Sequence, residues 1–283
     1  MKIYCRKTGS YLEEPEYQGG ALRFLYETAP GRALLKLLVA PPVSNTYARY
    51  QHSFCSKKDI LPFAKRYGVD LTGYPTAAFG SFNDFFTRRR VNVTSAAPNE
   101  LIAIADSRLS AWPVSEDLSL SIKHSRYTLS ELVGGQTPLE SFAGGTCLVF
   151  RLSVQDYHRY VFPDDGEVLE SAAISGELHT VRPVSERFRV YARNSRVWTR
   201  MQTVHFGPVL QIEVGALLVG RICNHPVLRF SRLQEKGWFE FGGSTILLLL
   251  QKSVRIDEEI LEQSRLGYET LVSLGESIGE ATC

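Results

Sequence analysis

VLQIEVGALLVGRI (209–222) and TILLLL (245–250) are β-branched and aliphatic runs bounded by glycine and polar residues. The second is of strand length and too short for a buried helix. LIAIA (101–105) and TCLVFRLS (146–153) have the same character, and Gly, Pro, Asn and Asp punctuate the chain between such runs every 8 to 15 residues. That pattern predicts antiparallel sheets in a sandwich or barrel-like body rather than alternating βαβ units. Helical spacing returns at 257–279, predicting a C-terminal helix. The expected class is α+β, with a β-rich domain over 96–283 behind an N-terminal helical region over 1–95.

In that first region, ALRFLYETAPGRALLKLLVA (21–40) carries apolar residues at helical spacing on both sides of Pro30 and Gly31, which divides it into two short helices. KKDILPFAKRY (57–67) reads as an amphipathic helix, and SFNDFFTRRR (81–90) as an aromatic-rich helix ending in three arginines. Residues 1–90 hold 14 Lys/Arg against 7 Asp/Glu, while the whole 283-residue chain is nearly balanced at 32 against 30. A basic, aromatic N-terminal part suits an anionic membrane surface. A solvated basic face, with the phenylalanines packed on their own core, explains the same residues.

The overall charge of +2 gives no reason to expect nucleic acid. Five scattered cysteines without CxxC spacing make neither a zinc framework nor a disulfide scaffold, so no metal is expected and a reducing compartment is. The N-terminus has no signal-peptide core and no run reaches membrane-spanning length. The expectation is a soluble or peripherally bound cytoplasmic protein.

Three places could carry chemistry. In FGGST (241–245), two glycines precede Ser244 and leave the Gly243 carbonyl sterically open, although Gly-Gly-Ser is also an ordinary turn. In DYHRY (156–160), His158 follows a strand-like run; a histidine between aromatics is equally a structural side chain unless an acid and a nucleophile stand beside it. Asp106 closes LIAIA, a position suited to an acid that orients a histidine. Asp106, His158 and Ser244 would then be acid, base and nucleophile from three strand ends.

FNDFFTRR (82–89), IAD (104–106), DYHRY, GELHTVRP (176–183), NSR (194–196), HFGPVLQIEVGALLVGRI (205–222) and KGWFEFGGST (236–245) together resemble the phosphatidylserine decarboxylase proenzymes, in order and spacing, over nearly the full length. The resemblance implies cleavage between Gly243 and Ser244 into a large chain 1–243 and a small chain 244–283. Ser244 becomes a pyruvoyl group, the covalent cofactor. It also implies that phosphatidylserine is converted to phosphatidylethanolamine and CO2 through a Schiff base on that group, at the cytoplasmic face of the cell membrane. A homodimer is compatible with it.

Three positions depart from the family's pattern. Val161 stands where many relatives have a second histidine, Ser107 follows Asp106 in place of glycine, and Arg182 precedes Pro183 in place of asparagine. His179 and His205 are reserve candidates. Val161 and Arg182 keep open a pyruvoyl-dependent decarboxylase of a soluble amino acid. The order Asp106, His158, Ser244 keeps open a hydrolase, although no GxSxG elbow is present. A membrane-binding β domain without catalysis is the remaining reading.

Overall fold

The computed structural model describes residues 2–282 apart from 15–18, 40, 73, 75, 91–95, 124, 136, 182, 218–220, 242 and 243. A ten-stranded mixed sheet organises the chain. Across it run Arg229–Phe230, Gly166–Ile174, Arg196–Thr203, Pro208–Val214, Ser244–Leu250, Thr146–Leu152, Ser107–Pro113, Glu269–Val272, Lys2–Cys5 and Ser10–Glu13. Among the described strands, only Lys2–Cys5 and Glu269–Val272 pair in parallel. The sheet does not close, so the α+β class stands and the barrel does not.

TILLLL lacks a polar alternation because both faces of its strand are covered. Ile246, Leu248 and Leu250 enter one core with Leu148, Phe150 and Leu152; Leu247 and Leu249 enter a second with Val149, Leu210 and Ile212. The first core is roofed by two three-stranded sheets. One contains Ile222–Asn224, Glu235–Phe239 and Arg159–Val161; the other contains Val254–Ile256, Ser277–Ala281 and Glu100–Ile102. Glu213, inside the opening apolar run, is fully buried on the first core's side. There Lys236 Nζ donates to its Oε1 at 2.7 Å, a charge-assisted bond that offsets part of the cost of burying both.

The ends of the chain differ from expectation. Residues 2–13 form two short strands on the edge of the large sheet, not helix. Helix at the C-terminus is confined to Glu258–Arg265, and Glu269–Val272 and Ser277–Ala281 are strands. Lys2–Cys5 and Glu269–Val272 pair with each other across almost the whole chain, which local spacing cannot reveal. The boundary expected between 95 and 96 adjoins residues outside the described set.

The N-terminal helices follow the sequence more closely. Gly19–Glu27 and Ala29–Leu38 meet at Thr28, whose hydroxyl caps the second helix by accepting from the Gly31 amide, with Pro30 in the first turn. The aromatic helix is Phe82–Phe86. Phe82, Phe85 and Phe86 are buried with Phe79, Ile60 and Phe241, so this face packs inside the protein and not on a membrane. Gly31 has no room for a side chain, because a Cβ there would lie 1.9 Å from the Phe24 carbonyl oxygen. Gly31→Ala should therefore part the two helices and loosen the Leu22, Tyr26, Leu35 and Val39 cluster. The expected loss is about 1–3 kcal/mol, read by chemical denaturation, and unchanged stability would refute the contact.

Candidate active site

Ser244 opens its strand and pairs with Leu152, while Thr245 pairs with Val214 on the other side. Arg151 pairs with Arg108, so the next position of that row sets Ser107 opposite Leu152, and Asp106 lies one residue beyond the sheet. Neighbouring strands are about 4.8 Å apart, which places the Asp106 end of its strand about 10 Å from Ser244. From Leu152 the chain turns through 153–157 to His158, whose carbonyl accepts from the Phe239 amide. The Phe86 ring lies against His158 (centroids 4.0 Å apart) and against Phe241 (5.0 Å), three residues before Ser244. The three sequence candidates thus occupy one end of the sheet. Gly243, the other half of the expected cleavage site, lies outside the described residues.

Ser244 Oγ is buried and has no hydrogen-bond partner among the described residues. An unsatisfied buried hydroxyl costs about 1–3 kcal/mol, and such costs collect at functional positions. His158 is also fully buried, with Nδ1 2.9 Å from the Asp156 carbonyl. A carbonyl only accepts, so Nδ1 carries the proton and Nε2 has the lone pair of a base. Asp106 accepts from the Leu274 amide at 2.8 Å and pairs with Arg90 at 2.5 Å.

The other sequence candidates are engaged elsewhere. His179 reaches this end of the sheet through Asn194, which bonds the His179 and Gly215 carbonyls. Its Nδ1 meets Tyr26 Oη at 3.1 Å and its Nε2 meets Glu177 at 2.9 Å, and burial lowers its pKa. His205 is bonded to Asp164 in the turn before Pro208–Val214. That turn is at the far end of the strand, about 20 Å away at 3.3 Å per residue. Val161 is buried apolar core with its amide on the Ile104 carbonyl. Arg182 lies outside the described residues.

Sequence reasoning missed a buried ionic cluster beneath His158. Asp156 accepts from the Ser153 amide at 2.6 Å and from Arg108. Arg108 also pairs with Glu14 at 2.6 Å; Glu14 reaches Arg151 at 2.9 Å and accepts from the Ser153 hydroxyl at 2.7 Å. Arg151 then meets Glu269 at 2.6 Å. Burial raises the Asp156 carboxyl to about 6 despite Arg108. Burial also opposes the charge of Glu14, but Arg151 and Arg108 outweigh it and hold Glu14 at about 2. The available signal was two arginines, Arg108 and Arg151, inside strands that are otherwise without charge.

The family model for phosphatidylserine decarboxylase matches residues 82–280. The chain is 44% identical to phosphatidylserine decarboxylase proenzyme 2 of Clostridium acetobutylicum, over 99% of this chain and 98% of that one. It is 40% identical to the phosphatidylserine decarboxylase proenzyme of Ruminiclostridium cellulolyticum (99% and 97%) and 36% identical to that of Clostridium perfringens strain SM101 (99% of each).

Glu14 precedes the matched segment yet supplies the anion between Arg108 and Arg151. Glu14→Gln leaves both guanidinium groups undercompensated, and should cost about 3 kcal/mol at neutral pH. Because the folded-state pKa lies below the unfolded value, this stabilisation is present above about pH 4.5 and fades towards pH 2. Chemical denaturation of Glu14→Gln against its parent measures it. A difference that does not shrink on acidification would contradict the assignment.

Proposed function

The chain belongs to the phosphatidylserine decarboxylase family, and from that premise we propose that it converts phosphatidylserine to phosphatidylethanolamine and CO2, using a pyruvoyl group generated from Ser244. The observation that carries the proposal is the buried, unpartnered Ser244 hydroxyl at the end of the sheet that also receives His158 and Asp106. Serine fits the group: its oxygen can form an ester, and its β-carbon can then lose that oxygen.

In the precursor, His158 Nε2 takes the Ser244 Oγ proton as the oxygen attacks the Gly243 carbonyl carbon. The peptide C–N bond breaks, an ester C–O bond forms, and the Ser244 nitrogen becomes a free amine. Loss of the Ser244 α-proton expels the Gly243 carboxylate and leaves a dehydroalanine. Tautomerisation gives an imine, and water replaces its nitrogen, releasing ammonia and leaving a ketone on the new N-terminus. The electrons balance without an external oxidant. Asp106, whose carboxylate is held by the Leu274 amide and by Arg90 at the same end of the sheet, is the acid we assign to the set.

In the mature enzyme, the pyruvoyl carbonyl supplies the electron sink for the carbanion left by CO2. We assign to His158, freed from the cleavage step, the return of a proton to the product carbon. Val161 carries no titratable group, so in this reading both duties fall to His158.

No helix among the described residues is long and apolar enough to cross a membrane. We assign peripheral docking to the N-terminal helices, where Phe54 (75% exposed), Leu37 (65%) and Leu61 (60%) stand beside Lys36, Lys57, Lys58 and Lys65. Exposed apolar residues rimmed by lysines suit an anionic bilayer.

Wild-type protein should run on a denaturing gel as a long and a short chain, with a pyruvoyl mass at position 244. Ser244→Ala should remain a single 31.8 kDa chain and release no CO2. His158→Ala should slow cleavage by about 10²–10⁴-fold. An active, uncleaved wild type would overturn the proposal. Cosedimentation with phosphatidylserine vesicles should weaken on raising salt from about 0.1 to 0.5 M and in Phe54→Ser/Leu37→Ser. Equal binding to uncharged vesicles would remove the electrostatic part.

A further inference from the structure

The arginine run that closes FFTRRR borders a cleft of about 450 Å³ lined by Arg89, Arg90, Tyr157, His225, Val227 and Glu235. Its inner wall touches the active end of the sheet. Arg90 pairs with Asp106, its amide donates to Tyr157 Oη at 3.1 Å, and its guanidinium lies 4.8 Å from the centre of the Tyr157 ring, the residue before His158. The charges in the cleft are unevenly matched. Glu235 is taken by Arg159 at 2.7 Å and by His225 at 2.8 Å, and Arg90 by Asp106. Arg89, with its side chain 70% exposed, has Glu235 as its only ion-pair partner among the described residues, at 3.8 Å.

We propose that this cleft receives the phosphodiester of the substrate headgroup and that Arg89 is the residue that reads its charge. The inference rests on the decarboxylase reading above. Its chemistry is that of a planar fork facing a phosphate monoanion, for which arginine is better suited than lysine. Arg89 directly precedes Arg90, whose guanidinium meets Asp106 at the active end of the sheet. Arg90, already neutralised and stacked on Tyr157, forms the wall between the two subsites.

The test uses the cleaved enzyme with phosphatidylserine in uncharged detergent micelles. Arg89→Gln should raise KM about tenfold, the equivalent of one charge-assisted contact, with kcat within about twofold and the two-chain gel pattern intact. Arg89→Lys should recover part of the loss. Arg229→Gln, on the far edge strand with its side chain 88% exposed, serves as the control for surface charge and should leave KM unchanged. Among soluble probes, wild type should prefer glycerophosphoserine to free serine, and Arg89→Gln should lose most of that preference. Unchanged KM in Arg89→Gln, or an equal rise in Arg229→Gln, would overturn the assignment. So would inhibition by inorganic phosphate that vanishes in Arg89→Gln while KM for the lipid stays fixed, since the cleft would then hold a free anion. A wild type that turns over neither phosphatidylserine nor glycerophosphoserine would instead fail the decarboxylase reading, and this inference with it.

Discussion

The pairing of Ser244 with Leu152 is the constraint from which the site's geometry follows. It sets the serine at the first rung of a central strand, and through Arg151 opposite Arg108 it aligns the Asp106 end of the adjoining strand. A one-residue slip would exchange the faces, sending Ile246, Leu248 and Leu250 into the core that now holds Leu247 and Leu249. Because both faces are buried, the slip is opposed by two cores at once. The same burial excludes water from Ser244 and His158, so their protons have few competing partners.

The ionic cluster solves a different problem. His158 is positioned through the carbonyl of Asp156, a turn residue with no sheet hydrogen bonds to fix it. Its carboxylate is fastened to Arg108, and Arg108 to Glu14, so the turn is tied to two strands and to the N-terminal hairpin. Buried ion pairs commonly add little net stability, because desolvation consumes most of the attraction. Their value here is geometric, since few other arrangements of the turn satisfy both guanidinium groups.

The amount of this that the sequence disclosed follows from how local each cause is. Strands covered on both faces announced themselves as TILLLL and TCLVF, and Pro30 with Gly31 marked the helix junction. The aromatic face of 82–86 was ambiguous, because spacing alone does not distinguish a core from a membrane; Phe241, more than 150 residues later, settles it. The strands at 2–5 and 269–272, which pair with each other across the length of the chain, were invisible for the same reason. Ser244, His158 and Asp106 were legible as residues, but their alignment depended on register. Asp156 lay inside a quoted motif, yet its carboxylate was overlooked, because its partners Glu14 and Arg108 are scattered along the chain.

These long-range contacts bear on what cleavage after Gly243 would do. Residues 244–283 contribute the strand between Pro208–Val214 and Thr146–Leu152, and also the strand between Ser107–Pro113 and Lys2–Cys5. The short chain would therefore be woven through the sheet at two separate places. Arg6 adds bonds to Asp257, Glu259 and Glu276, fastening the first turn of the long chain to the short one. Breaking one peptide bond at the end of a strand removes none of these ladders. The cut can free Ser244 to change chemically while its strand stays paired on both sides, so a group made there inherits a position fixed before it existed.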